Sequence, residues 1–122
     1  MSEGTPVRVL VVSRDPSILD DAEFSFPSGA EVKTASDART AREVLKDFRP
    51  SVVVADLMTG SAGGFVLARE MSQMSALEDV PILILLDRDQ DSWLADQAGA
   101  TMHRTKPVPA ESLAADALSL IA

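Results

Sequence analysis

The sequence predicts a single doubly wound α/β domain: a mostly parallel, five-stranded sheet with helices on both faces. Three observations carry this. Short runs of β-branched and aliphatic residues alternate with helix-like segments along the whole chain, and strands linked through helices run parallel by right-handed crossovers. Two of the runs, VRVLVV (7–12) and PILILL (81–86), are apolar at nearly every position, as in strands covered on both faces. The 122 residues, 46% hydrophobic and 25% charged, match one ordinary globular domain, with no linker, repeat or low-complexity stretch dividing them.

The elements follow in order. Residues 1–6 read as a flexible N-terminus, and the domain as residues 7–122. Val7–Val12 is the first strand, and Asp15-Pro16 supplies an N-cap and a first-turn proline for a helix that must stop before Pro27. Glu31–Ala35 is a weaker second strand. Ser36 or Asp37 then caps a helix with Ala38, Ala41, Val44, Leu45 and Phe48 on one face, ended by Arg49-Pro50. Ser51–Asp56 is the third strand, followed by the glycine-rich GSAGG loop and a helix carrying Phe65, Leu67, Ala68 and Met71. Pro81 opens the fourth strand, Asp91–Ala98 is a short helix closed by Gly99, and Ala100–Arg104 is the fifth strand. The last helix, Pro109–Ile121, turns Leu113, Ala117, Leu118 and Ile121 inward.

Composition narrows the function. The net charge of −8, with eight arginines and three lysines scattered, gives no basic stripe for a phosphate backbone and suits a protein partner or a cation. Without cysteine there are no disulfides, zinc-thiolate sites or thiol nucleophiles. The start MSEGTPVRV has no apolar signal core, and no run approaches the ~20 apolar residues that span a bilayer. A soluble, cytoplasmic protein is expected.

The stretch VVADLMTG (53–60) ends an apolar strand on an acidic residue, Asp56. A carboxylate at the tip of a buried strand is costly unless a charge is needed there. Ligands of such sheets bind at the carboxyl ends of the strands. That rim also receives Ser13, Arg14 and Asp15 after the first strand, Leu86 and Asp87 after the fourth, and Thr105 and Lys106 after the fifth.

With Asp56-Leu57-Met58 at the third strand's end, Gly99-Ala100 before the fifth and Thr105-Lys106-Pro107 after it, the chain resembles the response-regulator receiver domains of two-component signalling, essentially throughout from Val7. The resemblance implies a flavodoxin-like fold with strand order 2-1-3-4-5, and a signalling role rather than an enzyme's. It implies Asp56 as phosphoacceptor for a histidine kinase and Lys106 as the phosphoryl contact, with a cis bond to Pro107. It also implies a magnesium ion held by an acidic pair after the first strand, by the acceptor and by the carbonyl of Met58; hard oxygen ligands are what that ion requires. The fourth helix, fifth strand and fifth helix are the family's usual partner or homodimer face.

The sequence departs from that pattern at the rim. The acidic pair falls on Ser13 and Arg14, with only Asp15 acidic beyond them, and an arginine cannot ligate a metal. The hydroxyl-bearing switch position falls on Leu86, with Asp87 adding a like charge beside it. The aromatic toggle position is His103, and Gly60 and Gly63 replace a usual proline and acid in the loop after the acceptor. The expectation is therefore an atypical receiver with weak magnesium binding and slow or absent phosphorylation, acting by protein–protein interaction. In it Arg14 would pair with Asp56 as an internal counterion, and that pair would also engage Lys106. A one-residue slip that brought Asp15 to the metal would reverse side-chain direction.

Other readings stand beside this one. A conventional receiver phosphorylated at Asp56 differs only in phosphoryl uptake, and a flavin or nucleotide binder lacks a phosphate-cradling turn in SRDPS. An aspartyl phosphatase would need an acid where Met58 stands. His103, the single histidine, reads as a surface residue, and GSAGG as a turn without the spacing of a phosphate loop. Trp93 is either packed on the sheet or an exposed anchor for a partner.

Overall fold

The computed structural model describes residues 7–57 and 69–121. Five parallel strands form one sheet in the order β2-β1-β3-β4-β5: β1 (Arg8–Val12), β2 (Glu31–Ala35), β3 (Val52–Leu57), β4 (Ile82–Leu86) and β5 (Met102–Thr105). The described helices are α1 (Pro16–Ser25), α2 (Ala38–Leu45), the helical residues 69–72 (α3), α4 (Ser92–Gln97) and α5 (Ala110–Ser119). Short 3-10 turns lie at Ser75–Leu77 and Asp89–Asp91.

Side chains alternate between sheet faces, so each central strand feeds two cores. Leu10, Val12, Val53, Ala55, Ile82 and Ile84 pack with Ala41 of α2, Met71 of α3 and Leu94 of α4. Val9, Val11, Val52, Val54, Leu83 and Leu85 pack on the other side with Ala22 of α1 and Leu113 and Ala117 of α5. β1, β3 and β4 are thus covered on both faces, which is why they read as continuous apolar runs.

Local chemistry sets the ends. Asp15 caps α1 by accepting from the Ser17 amide at 2.9 Å, with Pro16 in the first turn, and the helix stops one residue short of Phe26-Pro27. Asp37, not Ser36, caps α2 through the Thr40 amide at 2.8 Å. Gly99 takes a positive φ of 76° after α4, a turn open to glycine at little cost.

Two of the boundaries that differ from expectation have a plain cause. α2 ends at Leu45 rather than at Arg49-Pro50; Phe48 still reaches the core, but from a turn, so its apolar spacing reflected packing and not helix. β5 starts two residues later and ends one later than Ala100–Arg104, because the Thr101 amide bonds to the Ile82 carbonyl and its hydroxyl accepts from the Ile82 amide, fixing the register at Leu83↔Met102. The GSAGG loop, Met58, Phe65, Leu67 and Ala68 lie outside the described residues.

Ile84 is fully buried and Phe24 on α1 is 86% exposed. Ile84→Ala should cost about 2–5 kcal/mol in denaturant unfolding, and Phe24→Ser should stay within ~0.5 kcal/mol of the parent.

Candidate functional site

The parallel register brings the carboxyl ends of β1, β3, β4 and β5 to one rim. Asp56 is the fifth residue of β3, opposite Leu85 of β4, and its side chain is completely covered. It shares a sheet face with Val52 and Val54. Ser13 continues β1 by one ladder bond, its amide donating to the Ala35 carbonyl at 2.9 Å, and alternation puts it on the face of Val9 and Val11, the same as Asp56. The two meet: Ser13 Oγ donates to Asp56 Oδ2 at 2.8 Å and accepts from the Asp15 amide at 2.9 Å.

The other carboxylate oxygen is held from β5. Beyond Thr105 the Lys106 amide adds one more ladder bond to the Leu86 carbonyl at 2.8 Å, and the Lys106-Pro107 bond is cis. Lys106 Nζ lies 2.7 Å from Asp56 Oδ1 and 2.7 Å from Asp87 Oδ1, so one ammonium bridges two carboxylates. Burial lowers the Lys106 pKa, but hydrogen bonds and charge from Asp56 and Asp87 outweigh that and hold it above its usual value.

Alternation also overturns one expectation. Arg14 falls on the opposite parity to Ser13 and is exposed, and among the described residues no ion pair joins it to Asp56. Its charge acts instead as a minor influence on Asp37, whose carboxyl is held low chiefly by its hydrogen bonds to Thr40. The internal counterion of Asp56 is Lys106, not Arg14.

Asp15 is also committed elsewhere. Its carboxylate accepts from the Ser17 hydroxyl and amide at the α1 N-terminus, contacts that hold its pKa below the ordinary carboxylate value. Leu86 is fully buried in the core toward α4 and offers no hydroxyl at the rim. His103 is exposed on β5 and Trp93, on α4, is 51% exposed.

A magnesium ion needs several oxygen ligands around one point. Ser13 spends its proton on Asp56, Asp15 caps a helix, and Asp56 Oδ1 faces an ammonium. Among the described residues, no three His, Cys, Asp or Glu side chains are grouped to hold a metal. Met58 lies outside the described residues.

One part of the rim went unread in the sequence: the turn from Asp87 to Asp91. Arg88 grips the buried Asp91 carboxylate with two hydrogen bonds, 2.9 and 3.2 Å, and Thr105 Oγ1 bonds to Asp89. The signal present was the i,i+3 spacing of Arg88 and Asp91 in DRDQD.

Removing one partner of a covered pair leaves the other charge stranded, so Lys106→Met should cost ~3 kcal/mol or more. Asp56→Asn should cost less, because Lys106 keeps Asp87 and partial access to water. Since the folded pKa of Lys106 is raised, its contribution is complete below the unfolded value of about 10.4 and is lost as pH rises through the folded one. Melting temperatures measured from about pH 9 to 12 should therefore converge for the parent and Lys106→Met at the alkaline end.

The comparisons agree with this architecture. The chain is 34% identical over 119 residues to the response regulator MprA of Mycolicibacterium vanbaalenii, covering 95% of this chain and 51% of that protein. It is 26% identical over 117 residues to the DNA-binding dual master transcriptional regulator RpaA of Synechocystis, covering 93% and 48%. The chain thus spans about half the length of the curated relatives it matches. Among solved structures, the chemotaxis response regulator CheY4 of Vibrio cholerae superposes with a TM-score of 0.80 at 26% identity, covering 97% of this chain and all of that one. A response-regulator structure from Chloroflexus aurantiacus gives 0.79 at 21% identity, covering 96% and 98%, a likeness of fold. No family model matches the chain. The sheet order, the strand-tip Asp56 and the relatives converge on one conclusion: this chain belongs to the response regulators of two-component signalling, as a receiver domain.

Proposed function

We propose that this chain is an atypical receiver, in which magnesium binding and phosphorylation at Asp56 are weakened and the signal is carried by protein–protein interaction. The observation that supports the reading most is the closed network in which Ser13 and Lys106 occupy both oxygens of Asp56 while Asp87 takes the other side of the same ammonium. A phosphoryl group arriving at Asp56 needs cations and donors free to meet its oxygens. Among the described residues, the cation bonded to Asp56 is already shared by two carboxylates, and Leu86 supplies no hydroxyl. A conventional receiver phosphorylated by a histidine kinase is the second reading, favoured by the intact Asp56–Lys106 pair.

The partner would be a histidine kinase or another signalling protein, or a second copy meeting the face of α4, β5 and α5. Trp93, half exposed on α4, and exposed His103 and Arg104 on β5 support that face; Arg104 is tied to Asp116 of α5 at 3.2 Å. The net charge of −8 favours protein over nucleic acid as the partner. Among the described residues no helix is long and apolar enough to cross a membrane, and a cytoplasmic site of action fits that.

Intact mass after incubation with magnesium and a small phosphodonor tests the chemistry, with Asp56→Asn as control and a conventional receiver alongside. Labelling should be on the order of a hundredfold slower than in the conventional receiver. Labelling of the parent at the conventional rate, absent in Asp56→Asn, would select the second reading. Ser13→Asp with Arg14→Asp should raise magnesium affinity in calorimetric titration.

A further inference from the structure

We propose that Asp87 is a built-in anionic plug: its carboxylate occupies the face of Lys106 that an incoming anion must use, so the site is held closed from within. The inference rests on the reading above, that Asp56 and Lys106 form the phosphoryl site, and deepens it by naming the group that closes that site.

The geometry carries it. Asp56 and Asp87 each place an oxygen 2.7 Å from Lys106 Nζ. The two carboxylates differ in access: the Asp56 side chain is completely covered and the Asp87 side chain is 36% exposed. Asp87 is therefore the outer of the ammonium's two carboxylate ligands, on the side where Lys106 itself is 19% exposed. A tetrahedral anion bound to Asp56 would also seek that ammonium, and Asp87 both competes for it and repels the anion.

The approach is acidic as well. A cleft of about 510 Å³ opens beside Lys106, lined by Asp15, Asp21 and Asp87 over an apolar floor that includes Leu85 and Pro107. Lys106 lines the same cleft, so an anion there would lie among three carboxylates and one ammonium.

The plug stands on a fixed base. Leu86 before it is locked in the core, while Arg88 after it is tied to the buried Asp91 by two hydrogen bonds. Asp87 can thus leave Lys106 by side-chain rotation, without unfolding the turn. Trp93, the single tryptophan, lies just beyond this turn and reports on it.

The test is titration of the protein with fluoroberyllate, a tetrahedral phosphoryl mimic, in magnesium chloride, followed by Trp93 fluorescence and by native mass. The parent, Asp87→Asn, Asp87→Ser and Asp89→Asn are compared, with circular dichroism confirming the fold of each. Asp89→Asn makes the same change in net charge two residues away. Asp87→Asn and Asp87→Ser should bind about tenfold more tightly than the parent or better, and Asp89→Asn within about twofold of it.

An equal gain in Asp89→Asn would reduce the effect to net charge and overturn the plug. No binding by any of the four would overturn it too, while leaving the weakened-site reading intact. Tight binding by the parent, unchanged in Asp87→Asn, would overturn both.

Discussion

The covered carboxylate of Asp56 makes sense only with Lys106 beside it. An ionised carboxylate taken out of water without partners costs several kcal/mol, and here the ammonium at 2.7 Å and the Ser13 hydroxyl at 2.8 Å meet one oxygen each. The pair also constrains the fold around it. Lys106 reaches Asp56 because β5 is carried one ladder bond past Thr105, and β5 is placed by its pairing with β4, which itself pairs with β3. The ion pair therefore spans strands that are not neighbours, β3 and β5, across the end of β4.

Which residues join that centre is decided by the two-residue period of the strands. Ser13 and Asp56 share a face, so a hydroxyl meets the carboxylate; Arg14, one residue on, is carried to the opposite side. The same arithmetic puts Leu86 into the core toward α4 instead of at the rim. Asp15 escapes the strand and serves the next element, spending its charge on the first turn of α1, where a helix N-terminus welcomes it. A rim rich in acidic residues thus becomes one cation shared by two carboxylates, with the remaining charges committed elsewhere.

Covering and access are separated in this arrangement. Asp56 is the inner, covered ligand of Lys106, and Asp87 is the outer one. A centre of that kind already has its own anion in place. The departures from the family pattern meet at this centre: the Ser13 hydroxyl and the Asp87 carboxylate both bond to the Asp56–Lys106 pair, and Leu86 is turned into the core.

The sequence by itself determined the architecture and the placing of Asp56 and Lys106 at one rim. Three apolar runs and two more polar strands, separated by helical segments, specify the parallel sheet, and Asp56, Lys106 and the Asp15 and Asp37 caps were legible because each depends on neighbours a few residues away or on a strand end. The end of α2 was not legible, because Phe48 is held inward by packing from a turn and mimics helical spacing. The start of β5 was not either, since its register depends on bonds to Ile82, nineteen residues earlier. Above all, tertiary structure alone decided who neutralises Asp56. Arg14 and Lys106 are both basic residues following a strand, and only the assembled sheet, through parity and the reach of β5, turns one to solvent and the other onto the carboxylate.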